Sequence, residues 1–94
     1  MKKVIISENF IIIEEEKKKL FGGVNITRKE VRLDDIISVG KIQENGNLFA
    51  IDIMLKNNDE INLSNDEVDL MSILNQLKEV SNNWERFKLD IVEI

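Results

Sequence analysis

The 94-residue chain contains no cysteine and no histidine. These absences exclude a disulfide framework, cysteine or serine–histidine nucleophilic catalysis and nearly every transition-metal site. The general acids and bases that remain are carboxylates and lysines. We therefore predict that the protein is not an enzyme and holds no cofactor or metal ion.

Proline is also absent, and there are only four glycines, whereas 43% of the residues are hydrophobic and 33% are charged. This composition excludes collagen-like, low-complexity and wholly disordered chains. A chain this short has apolar side chains enough for one core, so residues 1–94 are predicted to form a single domain.

Long apolar runs are missing as well. The longest strongly apolar run, residues 10–13, is far shorter than the ~20 residues that span a bilayer, and the amino terminus lacks the apolar segment of a signal peptide. We expect a cytoplasmic protein. The high counts of isoleucine, asparagine and lysine resemble the residue usage of AT-rich bacterial genomes.

Charge is distributed unevenly along the chain, whose net charge is −5. Residues 1–33 carry eight Lys or Arg against five Asp or Glu, whereas residues 34–94 carry five against thirteen. Because binding to nucleic acid needs a surplus of cations on one surface, the balance predicts no nucleic-acid partner. The first third remains weakly basic.

The first two thirds of the sequence, residues 3–63, predict an antiparallel sheet. Short stretches rich in β-branched residues alternate with turn residues, which is the pattern of a strand meander. Asn45-Gly46 is the residue pair most favoured in a two-residue type I′ hairpin turn. After it, Ile51, Ile53 and Leu55 fall on one apolar face of a half-buried strand.

The period of the apolar residues then changes to that of a helix. Ser64 followed by Glu67 has the spacing of a capping box, so a helix is predicted over residues 65–80. Apolar residues at spacings of three and four form one stripe that would lie on the sheet. Residues 84–94 alternate enough to form either a last strand or a tail.

The order of these features carries a family resemblance. It rests on the strand-turn-strand opening Ile5–Ile13, on Leu20-Phe21-Gly22-Gly23, on Val31–Val39 with its Asp34-Asp35-Ile36 step, on the Asn45-Gly46 hairpin and on the helix. Together they resemble a bacterial pleckstrin-homology-like domain related to GRAM domains. The resemblance implies a bent antiparallel sheet, or partly open β-barrel, with one end plugged by the carboxy-terminal α-helix. Fold class is thus predicted as mainly β with one helix (α+β), and residues 84–94 depart from the pattern.

Two groups of residues are candidate sites for binding. Lys17, Lys18 and Lys19 lie in the region that corresponds to the phosphoinositide-binding region of eukaryotic pleckstrin-homology domains, which implies a possible contact with anionic lipid. Phe21 and Trp84 are bulky residues in segments expected at the surface, where such residues are enriched at interfaces. Folding back onto the core is the more common outcome in a small domain.

The adjacent Asp34-Asp35 pair is a candidate for carboxylate chemistry or a divalent cation, and Asp66, Glu67 and Asp69 form a second acidic cluster, of which helix capping accounts for two. Neighbouring residues on a strand point to opposite faces, so a turn-forming role is the simpler interpretation. Our expectation is a non-enzymatic protein-interaction or scaffold domain, a homo-oligomer that self-associates either by addition at an unpaired strand edge or by docking at the groove beside the helix. The alternative is a peripheral membrane module that binds anionic lipid through the basic first third.

Overall fold

The computed structural model describes residues 2–94, which form seven strands and one α-helix. The elements in chain order are β1 (Lys2–Ile6), β2 (Phe10–Lys18), β3 (Val24–Arg32), a 3-10 turn (Leu33–Asp35), β4 (Ile36–Glu44), β5 (Asn47–Leu55), β6 (Glu60–Ser64), α1 (Leu70–Val80) and β7 (Lys88–Glu93). The predicted fold class, mainly β with one carboxy-terminal helix, is confirmed.

The strands form two sheets. β1, β2 and β3 make an antiparallel sheet in chain order, and a four-stranded sheet has the order β6-β5-β4-β7. Within residues 2–94 no ladder joins the two sheets, so the barrel that the sequence suggested is not closed. β3 and β6 are each an edge strand of their sheet, and residues of both line one cleft. We call the open boundary between these two strands the seam.

The last strand resolves the prediction left open for residues 84–94. β7 lies beside β4 and runs parallel to it, with Val39 opposite Leu89. The antiparallel sheet was predicted for residues 3–63 only, and β7 adds a parallel strand to the second sheet. The reason is the connection: α1 crosses over between β6 and β7, and such a crossover allows a parallel strand.

The hairpin between β4 and β5 confirms the local prediction at Asn45-Gly46. Both residues have positive φ, 52° for Asn45 and 79° for Gly46, and Glu44 pairs with Asn47 across a two-residue turn. These are the dihedrals that a type I′ turn requires. Glycine adopts them without the cost that a Cβ would add.

The helix begins at Leu70, five residues later than predicted. Ser64 remains in β6, opposite Ala50, and the side chain of Asp69 caps the helix by accepting from the backbone amide of Ser72 at 3.2 Å. Half of the predicted capping box forms, because the Glu67 carboxylate accepts from the Ser64 amide at 3.4 Å. The Ser64 hydroxyl instead donates to Asp66.

One core fills the space between the two sheets and under the helix. The helix contributes its predicted apolar stripe, and both sheets contribute their inner faces. The buried apolar residues are Ile11, Ile13, Val31, Leu33, Ile36, Val39, Ile51, Ile53, Leu55, Ile61, Leu63, Leu70, Ile73, Leu74, Leu77 and Phe87. Strand alternation and helical spacing thus place these side chains on one continuous surface.

Candidate functional site

The far end of the β2–β3 hairpin extends beyond the rest of its sheet. Among residues 2–94, β1 pairs with β2 only as far as Glu15, whereas β2 and β3 continue to pair up to Lys18 and Val24. We call residues 16–26 the arm. The arm is a two-stranded ribbon that contributes no residue to the core.

The tip of the arm presents two large apolar side chains to solvent. Leu20 is 90% exposed and Phe21 is 95% exposed, and Ile26 on the adjoining strand is 68% exposed. Gly22 and Gly23, with φ of 90° and 80°, form the turn after them. The expectation that Phe21 folds back onto the core was therefore wrong, because the core lies beyond its reach.

Cations surround this tip. Residues 17–29 contain Lys17, Lys18, Lys19, Arg28 and Lys29 and no acidic residue. Lys17 lies 3.6 Å from the Glu15 carboxylate, and Arg28 pairs with Glu14 and Glu30 at the base of the arm. Within residues 2–94, Lys18 and Lys19 form no ion pair. The end of the arm is therefore cationic as well as apolar.

The environment of Trp84 differs from that of the arm. It is half-buried, packs against the core, and meets Phe87 edge to face with ring centroids 6.0 Å apart. The sequence placed Phe21 and Trp84 in one class of exposed anchor, but the structure separates them. Of the two, Phe21 alone is exposed.

Arg86 ties the segment that carries Trp84 to two turns, the one between β1 and β2 and the 3-10 turn before β4. Its guanidinium donates to the Asp34 carboxylate at 2.8 Å and to the backbone oxygen of Glu8 at 2.8 Å. The hydrogen bond from Arg86 to the Asp34 carboxylate and the charge of Arg86 lower the pKa of Asp34 below its usual value of 3.8. Asp34 thus has a structural contact, and Asp35 closes the 3-10 turn.

The other end of β7 is held by Glu93. Its carboxylate accepts from the Gln43 side-chain amide at 2.7 Å and from the Gly46 amide at 3.1 Å. The Gln43 hydrogen bond, followed by the backbone donors of Gly46 and Asn45, lowers the pKa of Glu93. Glu93 therefore caps the type I′ turn, a role that sequence spacing did not reveal.

Acidic residues near the start of the helix are also engaged in structural contacts. The Ser64 hydroxyl and the backbone lower the pKa of Asp66. At Glu67, burial raises the pKa, but hydrogen bonds from Lys2 and the Ser64 amide and the charge of Lys2 outweigh it, so the pKa is lowered. Among residues 2–94, no group of three or more carboxylates is arranged to hold a metal ion.

Clefts lie along the open seam and beside the helix. Two of about 370 and 420 Å3 follow β3 and are lined on their other side by residues 55–62. A third, of about 220 Å3, separates β1 from α1. The sequence predicted an unpaired strand edge but not its position, because the packing of the sheets decides which edges stay unpaired.

No family model, curated protein or solved structure matches this chain. The resemblance to a pleckstrin-homology-like domain therefore stays a prediction. In the part of the chain described, no helix has the length and apolar character needed to cross a membrane.

Proposed function

We propose that the protein is a non-enzymatic binding module that docks on an anionic membrane surface through the tip of its arm. A single observation carries this proposal: Leu20 and Phe21 are almost fully exposed directly beside Lys17, Lys18 and Lys19. Apolar side chains at such a tip enter the interfacial region of a bilayer, where they leave water. The lysines then remain among the anionic headgroups.

The charge of the remaining molecule supports one orientation on that surface. Residues 30–94 carry six Lys or Arg against fourteen Asp or Glu. An anionic surface repels this part and attracts the arm, so the arm points towards the membrane. Each well-placed lysine contributes about 1 kcal/mol near such a surface.

Vesicle sedimentation tests the proposal. The protein is expected to sediment with vesicles containing phosphatidylserine and to remain in solution with phosphatidylcholine alone. Binding should weaken as salt rises, because the screening length falls to about 10 Å at 0.1 M. Replacing Lys17, Lys18 and Lys19 together by Glu should weaken binding by at least about 100-fold, since three such lysines supply about 3 kcal/mol.

Matched variants distinguish an effect of the arm residues from an effect of net charge or of exposed apolar side chains elsewhere. The triple change Lys56→Glu, Lys78→Glu and Lys88→Glu alters the net charge equally at sites outside the arm, and Met71→Ser removes an exposed apolar side chain from the helix. The first control should bind more tightly than the triple Glu variant of Lys17, Lys18 and Lys19. Met71→Ser should bind more tightly than Phe21→Ser. Equal loss in the matched variants, or equal binding to both vesicles, would contradict the proposal.

The second candidate is a protein-interaction or scaffold domain that self-associates. The same asymmetry of charge favours it, because the cationic arm of one copy complements the acidic part of another, while two arms repel. Light scattering after size exclusion, from micromolar to near-millimolar protein, tests it. A strict monomer over that range would count against self-association.

A further inference from the structure

The turn residues Asn45 and Gly46 form a pair that is chemically reactive. Of the eleven asparagines in the chain, only Asn45 is followed by glycine. The backbone nitrogen that follows an asparagine can attack the side-chain amide carbon, Cγ, and glycine favours this attack because it has no Cβ to obstruct the approach. Both residues are exposed, and even a Cβ at Gly46 would meet nothing within 4 Å. Solvent therefore has open access to the pair.

The reaction is deamidation, and water is its only co-reactant. The Gly46 nitrogen gives up its proton to solvent and forms a bond to Cγ of Asn45. The bond from Cγ to Nδ2 breaks, and the leaving nitrogen takes up a proton and departs as ammonia. Water then opens the cyclic imide, which leaves either an aspartate or an isoaspartate at position 45. The net change replaces an amide by a carboxylate, with no oxidation or reduction.

In the folded protein, the attacking nitrogen is engaged by Glu93. The Gly46 amide donates to Oε1 of Glu93 at 3.1 Å, while Oε2 of the same carboxylate accepts from the Gln43 side chain at 2.7 Å. Attack requires the Gly46 nitrogen to lose its proton, and the resulting anion would lie beside a carboxylate. Because neighbouring like charges disfavour ionisation, Glu93 opposes the step on which deamidation depends.

This protection depends on the last residues of β7. Glu93 pairs with Gln43 at the end of the parallel ladder, and the Ile94 amide donates to the backbone oxygen of Gln43 at 2.9 Å. The end of a strand opens at a lower free energy than the whole protein unfolds. When this end separates from β4, the Gly46 nitrogen loses its acceptor. The rate of deamidation therefore follows the local opening of β7.

The product would weaken the same contact. A carboxylate at position 45 adds a negative charge, next to Glu44, to a turn that already holds the Glu93 carboxylate. Like charges repel at such short range. Formation of isoaspartate also places a side-chain carbon in the backbone, which the geometry of a two-residue type I′ turn does not accommodate. Deamidation therefore favours the open state of the end of β7.

We propose that Asn45 is a site of spontaneous deamidation, that the Glu93 carboxylate suppresses the reaction while β7 is in place, and that the product releases the end of β7 from the β4–β5 hairpin. The class of modification is hydrolysis of a side-chain amide, with isoaspartate as one product. No residue of the arm takes part, so membrane docking is not required.

Mass spectrometry of the tryptic peptide 42–56 measures the reaction while the full chain is incubated at mildly alkaline pH. Glu93→Ala should deamidate at Asn45 at least about 10-fold faster than the wild-type protein, because a hydrogen bond to a charged group changes an equilibrium by about that factor or more. Glu93→Gln, which keeps an acceptor but no charge, should fall between them. Glu79→Ala, the matched loss of an exposed carboxylate from the helix, should react at the wild-type rate.

Hydrogen exchange before and after incubation tests the release of β7. In the deamidated protein, exchange should be faster at residues 43–47 and 88–94 and unchanged in the arm. Asn45→Gly removes the reactive amide without adding charge and suits the positive φ, so its exchange should not change with incubation. Equal deamidation rates in Glu93→Ala and the wild-type protein, a wild-type rate equal to that in denaturing urea, or unchanged exchange in β7 after deamidation would overturn the proposal.

Discussion

The near and far halves of the β2–β3 hairpin share the same two strands and an unbroken register, yet their surroundings differ. The near half has β1 beside it and places Ile11, Ile13 and Val31 in the core. The far half, the arm, has no third strand among the described residues and no buried side chain. The same ladder therefore supports the fold at one end and is free to bind at the other.

A large difference in stability should separate the two halves. Ile11→Ala in the near half removes a fully buried side chain and should lower the free energy of unfolding by about 2–5 kcal/mol, because it leaves a cavity. Urea unfolding followed by circular dichroism measures this loss. A loss below about 1 kcal/mol would mean that the near half packs less tightly than the structure indicates.

Two turn glycines, one in the arm and one in the β4–β5 hairpin, should respond differently to substitution. Gly46 and Gly22 have φ of 79° and 90°, and a Cβ at either would meet nothing within 4 Å. Gly46→Ala should lower the free energy of unfolding by about 1–2 kcal/mol, because an L-residue is strained in the left-handed backbone conformation. Gly22→Ala should cost less, since the arm can open locally and limit the penalty.

Hydrogen exchange provides the measurement for this pair of variants. Faster exchange in Gly22→Ala should be confined to residues 16–26, whereas Gly46→Ala should raise exchange throughout the second sheet. Equal losses of global stability in the two variants would show that the arm unfolds together with the rest of the protein.

The contact between Arg86 and Asp34 should make the stability of the folded protein depend on pH. The pKa of Asp34 is lower in the folded protein than its usual 3.8, so the stabilisation is present above that value and is lost as the pH falls through the folded pKa. Asp34→Asn should therefore lower the urea midpoint at about pH 6 and have a smaller effect at about pH 2.5. The same midpoint difference at both pH values would contradict an ionic contribution.

The smallest effect is expected at the tip of the arm. Phe21→Ser should change the free energy of unfolding by no more than about 0.5 kcal/mol, because the side chain is 95% exposed. The urea midpoint measures this directly. A loss comparable to that of Ile11→Ala would show that Phe21 packs on the molecule in solution.

Features fixed by neighbouring residues were predictable. Asn45-Gly46 determined its own turn, and the alternation around Ile51 and Ile53 identified a half-buried strand, since both signals lie within a few residues. The start of the helix was not predictable in the same way. Ser64 and Asp69 are both good caps, and pairing of Ser64 with Ala50 in the sheet decided between them.

The sequence indicated the chemical type of the site residues but not their positions in the fold. Lys17, Lys18 and Lys19 were recognisable as a cationic run, but their place on a projecting ribbon depends on where β1 stops pairing with β2. Phe21 and Trp84 look equivalent in the sequence. The contact with Phe87 places Trp84 against the core, whereas nothing of the core lies near the tip that carries Phe21.

The sequence by itself determined the alternation of strands, the apolar stripe of the helix, the type I′ turn and the excess of cations in the first third. Each depends on residues close together in the chain, where backbone preference and side-chain period act directly. Only the tertiary structure decided that β7 runs parallel to β4, that β3 and β6 stay apart, and that Phe21 stays in water. These outcomes depend on which distant surfaces the core brings together, and local preferences do not record that.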